Sequence, residues 1–265
     1  MILQAASRVS RPDARVFTPM ANVLVLIHAF PLGVRMWDDL TVPEGWHVVT
    51  PSLPGFDGAQ LPPIDSNSID DYATSVLRQL DERGVTSFVA GGLSMGGYVT
   101  LALWRLAADR CRGLVLADTR AGPDTKQGRA DRDAMLTIVT DKGPSAVADA
   151  MLSKLLGPTT RARRPEVTAR VRAMIDSQAP AGIVAAIRRM RDRPDFLPML
   201  PSVDVPTLVV VGDEDEITPP AESERMHELL PHGTLVQLPG AGHLTNIEAP
   251  DLFNLAIRAF LMSLA

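Results

Sequence analysis

The 265-residue sequence predicts an α/β fold, with a mostly parallel central sheet flanked by helices and one helical insertion. Three observations carry that expectation. Short apolar runs rich in β-branched residues alternate with longer segments of helical period. The runs lead into loops rich in Gly, Pro or acidic residues. From Gly122 to Asp195 the alternation stops, and every segment reads as helix.

Taken in order, "VLVLI" (Val23 to Ile27) is a continuous apolar run ahead of a Pro/Gly loop, the pattern of a buried parallel strand. Trp46 to Val49 repeats it more briefly. In Asp70 to Arg83 the apolar residues Tyr72, Ala73, Val76, Leu77 and Leu80 share one helical face, and Gly84 ends the helix. The strand "SFVAGG" (Ser87 to Gly92), a helix from Met95 running to about Arg110, and the strand "GLVLADT" (Gly113 to Thr119) follow. Later come the strands opening "TLVVVGDEDEITP" and "TLVQLPGAGH", then a final helix. Strands that alternate with helices in this way place ligand sites at their carboxyl ends.

The insertion contains "ADRDAMLTIVT", "PSAVADAMLSKLL", "RPEVTARVRAMI" and "PAGIVAAIRRMRD", punctuated by Gly and Pro. Its Met and Leu stripes are read first as core between helices, and its Arg161–Arg164 cluster as a solvated turn ahead of a site for an acidic substrate. No internal repeat, low-complexity run or domain linker is evident.

Composition narrows the function classes. A chain that is 46% hydrophobic and 22% charged suits one globular domain with a full core. A net charge of −5 shows no basic excess that would point to nucleic acid or an anionic membrane as partner. The longest apolar run, "VLVLIHAF", falls well short of the ~18 residues that suggest a membrane span. Residues 1–17 lack the basic start and apolar core of a secretory signal. A single cysteine, Cys111, excludes an intrachain disulfide and a Cys-rich zinc site; it is read as a packing residue, and a cytoplasmic setting is expected.

Gly92-Leu93-Ser94-Met95-Gly96 fits G-x-S-x-G between an expected strand and an expected helix. A one-residue turn from strand to helix forces strained geometry on that residue and crowds the neighbouring backbones, which small residues relieve. It also exposes the serine hydroxyl and aims the Met95 N–H at the position of a tetrahedral oxyanion. A phosphate cradle is disfavoured, because neither G-x-x-x-x-G-K-[ST] nor three glycines in a G-x-G-x-x-G register is present.

A serine nucleophile needs a base, and the base needs a carboxylate. His47 starts a strand, His227 and His232 flank a surface helix, and His28 ends the first strand, where it supports the loop. His243, in the glycine-flanked loop after the last strand, is the best-placed base. For the acid, "DEDEITPP" offers Asp213, Glu214, Asp215 and Glu216 at the carboxyl end of "TLVVVG"; Asp118 lies at the end of the earlier strand. The order serine, acid, histidine is the one the G-x-S-x-G fold uses.

With these residues in view, the chain resembles the α/β-hydrolase fold family, of the small serine esterase, lactonase and cofactor-free haloperoxidase type. The likeness covers nearly the whole chain. "VLIHAFPLGVRMW" is similar to the family's His-Gly-x-Pro loop, "PSLPGFDGA" to its Leu-Pro-Gly-x-Gly loop, "GLSMGG" to its elbow, "GDEDEITP" to its G-x-x-D-x-x-x-P acid turn and "GAGH" to its histidine loop. Ala29 stands where the family usually has Gly, Ser52 where it often has Asp, and Asp57 where it often has Gly. Only some twenty residues precede the first motif, so the family's N-terminal hairpin is expected to be short or irregular.

The resemblance implies Ser94 as nucleophile, His243 as base, Asp215 as acid, and the Phe30 and Met95 backbone N–H groups as oxyanion hole. It implies a hydrolase core of residues 1–121 and 196–265 and a cap of residues 122–195. The expected activity is hydrolysis of a small-molecule carboxylic ester through an acyl-enzyme, with no metal and no organic cofactor. Lactonase and perhydrolase-type haloperoxidase activities use the same triad and stay open, as does a ligand receptor on this fold with very slow turnover.

Overall fold

The computed structural model describes residues 22–62 and 67–264. Two expectations, the missing secretory signal and the shortened N-terminal hairpin, fall on residues 1–21 and lie outside the described residues. Among the described residues no helix is long and apolar enough to cross a membrane.

Among the described residues six strands form one sheet: β1 (Val23–Ile27), β2 (His47–Val49), β3 (Phe88–Leu93), β4 (Cys111–Ala117), β5 (Thr207–Gly212) and β6 (Gly233–Leu238). Their spatial order is β2-β1-β3-β4-β5-β6, and every neighbouring pair is parallel. The chain leaves β1 in one direction to β2 and returns on its other side to β3, which makes the β1/β3 boundary the switch point where ligands bind in such sheets.

Period-2 alternation divides the strand side chains between two cores. Val25 and Ile27 of β1, Ala90 of β3, Leu114 and Leu116 of β4 and Val209 of β5 face one side. There they meet α1 (Asp70–Asp81) and α2 (Met95–Ala107). Leu24, Leu26, Val89, Val115, Ala117, Leu208 and Val210 face the other side, against α9 (Pro250–Ser263). Each fully buried Leu or Val contributes about 1.5–3 kcal/mol of transfer free energy, so a one-residue register slip, which would reverse every side chain, is strongly disfavoured.

The helices follow their sequences. In α1, Tyr72, Val76 and Leu80 recur at every fourth position on the buried face, and Gly84, with φ of 68°, carries the left-handed turn beyond its end. α2 is buried nearly all round because it lies across the middle of the sheet. It ends at Ala107, a turn earlier than its apolar pattern suggests, and β4 starts at Cys111. Cys111 is buried, and burial pushes its thiol up to about 12, as suits a packing residue.

Residues 122–195 carry α3 (Lys126–Leu155), α4 (Pro158–Arg163), α5 (Pro165–Asp176) and α6 (Pro180–Arg191). α3 is two helical segments joined at Gly143, whose φ is 76°, with Pro144 opening the second. The last elements are α7 (Pro220–Leu229) and the single turn α8 (Thr245–Glu248) ahead of α9.

Candidate active site

Matching strand ends assemble the site. The registers Ile27 to Gly92, Leu93 to Ala117 and Ala117 to Val210 bring the carboxyl ends of β1, β3, β4 and β5 side by side. Phe30, Ser94, Asp118 and the acidic turn after Gly212 therefore share one edge.

Ser94 joins β3 to α2 at φ 55° and ψ −112°, a strained conformation for a residue with a side chain. Its N–H donates to Ala117 O (2.9 Å), and its carbonyl accepts from the Thr119 hydroxyl (2.8 Å) and the Gly97 N–H (2.9 Å). The glycines around it are required by close approach. A Cβ on Gly92 would lie 2.2 Å from the Gly96 backbone, and one on Gly96 would lie 2.0 Å from Ile27 O. The start of α2 is thus pressed against the end of β1, three residues before Phe30.

The His243 loop follows β6 and meets this edge. The Ser94 hydroxyl lies 2.8 Å from His243 Nε2, and His243 Nδ1 lies 2.8 Å and 3.0 Å from the two Asp215 oxygens. With Nδ1 protonated, Nε2 is left to accept the serine proton. Asp215 Oδ1 also accepts from the Ile217 (2.8 Å) and Thr218 (3.0 Å) N–H groups, and Oδ2 from the Thr218 hydroxyl (2.7 Å). Burial acts to raise the Asp215 pKa, but the His243 interaction and the Thr218 donors outweigh it and hold the carboxyl below its ordinary value.

The other candidates lie elsewhere. Asp213 is exposed and accepts from the Gly240 N–H (2.7 Å). Glu214 accepts from the Thr159 N–H (2.9 Å), and Glu216 is exposed. Asp118 accepts from the N–H groups of Gly212 (3.0 Å) and Thr245 (3.1 Å) and from the Thr245 hydroxyl. Burial and the nearby Asp215 charge push its pKa well up. His28 is buried with its ring 4.7 Å from Phe56, and burial lowers its pKa, so it stays neutral. His47 and His232 are exposed, and His227 is half-buried on α7.

The Met95 amide, first in α2, has no intrahelical acceptor and is available to an anion beside Ser94. Phe30 lies on the loop after β1 and lines a cleft of about 580 Å³ together with Ile217, two residues beyond Asp215. Part of its lining comes from α3 and includes Met135 and Met151.

Several supporting residues are not evident from motifs. Thr218 was detectable in principle, since an Asp-x-x-Thr turn can fold its donors back onto the carboxylate. Glu248 is buried and accepts from the Gly157 (2.8 Å) and Leu244 (3.0 Å) N–H groups, tying the histidine loop to the start of α4. Arg164 adds to that tie: it is half-buried and donates to the carbonyls of Ile247 (3.1 Å) and Glu248, so it does more than sit in a solvated turn.

A family model for the alpha/beta hydrolase fold matches residues 22–250. An esterase structure from Thermogutta terrifontis superposes with a TM-score of 0.88 at 36% identity, covering 93% of this chain and 92% of that one. The chain is 27% identical to 3-oxoadipate enol-lactonase 2 of Acinetobacter baylyi over 76% of its own length and 74% of the relative's. It is 28% identical to a pimeloyl-[acyl-carrier protein] methyl ester esterase of Neisseria meningitidis over 96% of both chains.

Proposed function

The chain belongs to the alpha/beta hydrolase fold family, and from that premise we propose that it is a serine hydrolase of carboxylic esters working through Ser94, His243 and Asp215. The observation that carries this reading is the continuous hydrogen-bonded chain from the Ser94 hydroxyl through His243 to Asp215, with Ser94 at a strained strand-to-helix turn.

Ser94 Oγ attacks the ester carbonyl carbon while its proton passes to His243 Nε2, leaving a tetrahedral oxyanion. The Phe30 and Met95 N–H groups donate to that oxygen; one such donor supplies about 10²–10³ in rate where it has been removed elsewhere. Collapse breaks the bond to the alcohol, which takes the proton from His243. Water then gives a proton to His243 and attacks the acyl carbon; collapse breaks the bond to Ser94 Oγ, which takes that proton back from His243, and the acid is released. Asp215 keeps His243 in the tautomer that presents Nε2 and stabilises its charge. No step draws on a metal or organic cofactor.

Residues 122–195 act as a cap in this reading, because α3 supplies part of the lining of the cleft that Phe30 and Ile217 also line. A lactone is a cyclic ester and fits the same steps with the alcohol still tethered; the likeness to an enol-lactonase favours including it. The buried Cys111 is compatible with a cytoplasmic setting.

A panel of p-nitrophenyl esters of rising chain length, with simple lactones added, tests the proposal. Turnover at ordinary enzyme rates of ~1–10³ per second on the best substrate is expected. Negligible turnover throughout, with a partner protein co-purifying, would instead favour a receptor on this fold.

A further inference from the structure

The cleft lined by Phe30 and by Ile217, two residues beyond Asp215, carries charge that ester hydrolysis does not use. Half-buried Arg120, at the end of β4, and half-buried Arg132, on α3, both line it, with side chains 23% and 21% exposed. Both lean on one carboxylate. Asp124, 1% exposed, accepts from Arg120 Nη2 (2.9 Å), Arg132 Nε (3.1 Å) and Arg193 Nη1 (2.7 Å).

Arg193 is the structural member of this group. It is fully buried, donates to the carbonyls of Gly122 and Met190 (both 2.8 Å) and lies 4.1 Å from the Tyr98 ring centre. Arg120 and Arg132 differ: each spends one N–H on Asp124, and a guanidinium carries five. Arg120 Nε is buried without a hydrogen-bond partner among the described residues, as are Arg189 Nε and Arg193 Nε, so what sets Arg120 and Arg132 apart is their place in the cleft lining with guanidinium N–H groups beyond the one given to Asp124.

The charges lining the cleft differ in burial. In the lining itself the guanidinium groups of Arg120 and Arg132 share the single buried carboxylate of Asp124, and Glu222, outside the lining, also acts electrostatically on Arg120. The remaining charged residues of the cleft, Asp131, Lys154 and Glu216, are exposed, where water and salt screen them. Beside the spare donors, Phe30, Met135, Met151 and Ile217 supply apolar wall.

We infer that the substrate carries a carboxylate: the cleft takes an ester or lactone with a carboxylate a few carbons from the scissile carbonyl, bound by Arg120 and Arg132. This rests on the hydrolase reading and specifies its substrate class. The planar fork of arginine matches a carboxylate, and the apolar lining of Phe30, Met135, Met151 and Ile217 suits a short methylene spacer. A neutral acyl chain would leave these donors to water.

The test pairs monomethyl dicarboxylates, from succinate to suberate, with neutral methyl esters in which a methyl replaces the free carboxylate, for example monomethyl adipate against methyl hexanoate. At low ionic strength the best acid ester should exceed its neutral partner in kcat/KM by about ten-fold or more, and salt should reduce the preference. Arg120→Gln and Arg132→Gln should each lower kcat/KM for the acid ester by about 10–100-fold while the neutral ester stays within a few-fold; Arg120→Lys should keep part of the preference. Free adipate should compete with methyl hexanoate in the unmodified enzyme, which keeps the test decisive if Arg120→Gln does not fold.

Preference for the neutral ester at every length, equal losses on both substrates in the variants, or no competition by adipate overturns the inference and leaves the hydrolase intact. No turnover of any ester, charged or neutral, overturns the hydrolase reading and this inference with it.

Discussion

Asp118 and Asp215 follow adjacent parallel strands, yet only Asp215 reaches His243, while Asp118 turns to Gly212 and Thr245. The two acids therefore separate by mutation. Asp215→Asn keeps the shape but favours the wrong histidine tautomer, so kcat should fall by several orders of magnitude, about 10⁴ in the serine-protease precedent. Asp118→Asn should lose far less. Steady-state kinetics of the two variants decide it; a dead Asp118→Asn beside an active Asp215→Asn would place the acid on the wrong strand.

The elbow glycines should be intolerant of even a methyl group. In Gly96→Ala the new Cβ would sit 2.0 Å from the Ile27 carbonyl, and both groups are backbone that cannot yield cheaply. A loss of at least ~1–3 kcal/mol in denaturant unfolding is expected, with reduced activity as the Phe30 loop shifts. Gly128→Ala on α3 is the control: its nearest neighbour would be 3.4 Å away, and a neutral to slightly stabilising effect is expected.

These two sites show what a sequence carries and what it does not. The elbow is legible because strand, turn and helix are contiguous and their crowding leaves a local record of glycines from Gly91 to Gly97. Val23 to Ile27 is legible for a similar reason, since burial on both faces demands an unbroken apolar run. The early end of α2 was hidden, because Ala108 to Arg110 continue in a short 3-10 turn with the same composition. Within "DEDE", four carboxylates share a turn; residue chemistry alone leaves them equivalent, the resemblance to the G-x-x-D-x-x-x-P turn selects Asp215, and the fold-back of Ile217 and Thr218 onto it is a matter of backbone direction. The charge cluster on Asp124 was out of reach: Arg120, Arg132 and Arg193 converge from separate elements, and no spacing rule connects them.

If α3 walls the cleft, bulk placed there should alter substrate choice and leave the chemistry intact. Met135→Trp and Met151→Trp, both at the lining, should move the chain-length optimum of ester hydrolysis toward shorter acyl groups. Unchanged relative rates on short and long esters in both variants would show that this segment does not bound the substrate.

The Asp124 cluster should also leave a signature in acid. Burial works to raise its pKa, but Arg132 and Arg193 outweigh it, so the folded carboxyl titrates below its unfolded value of ~3.9. A lowered folded pKa contributes stability above the unfolded value, and that contribution is lost as pH falls through the folded one. Asp124→Asn should therefore cost about 3–5 kcal/mol near neutrality, because buried Arg193 loses its partner. The gap to the unmodified protein should narrow below pH ~4. A gap that stays constant from neutral to acid pH in denaturant titrations would contradict the assignment.

The central claim is that Ser94 is the nucleophile, and a serine-directed phosphonate tests it most directly. Intact-mass measurement should show one adduct per chain, located on Ser94 by peptide mapping. Ser94→Ala, which removes only the hydroxyl, should fold normally, take no label and lose nearly all ester turnover. A folded Ser94→Ala protein that still labels stoichiometrically and still hydrolyses esters would contradict the account.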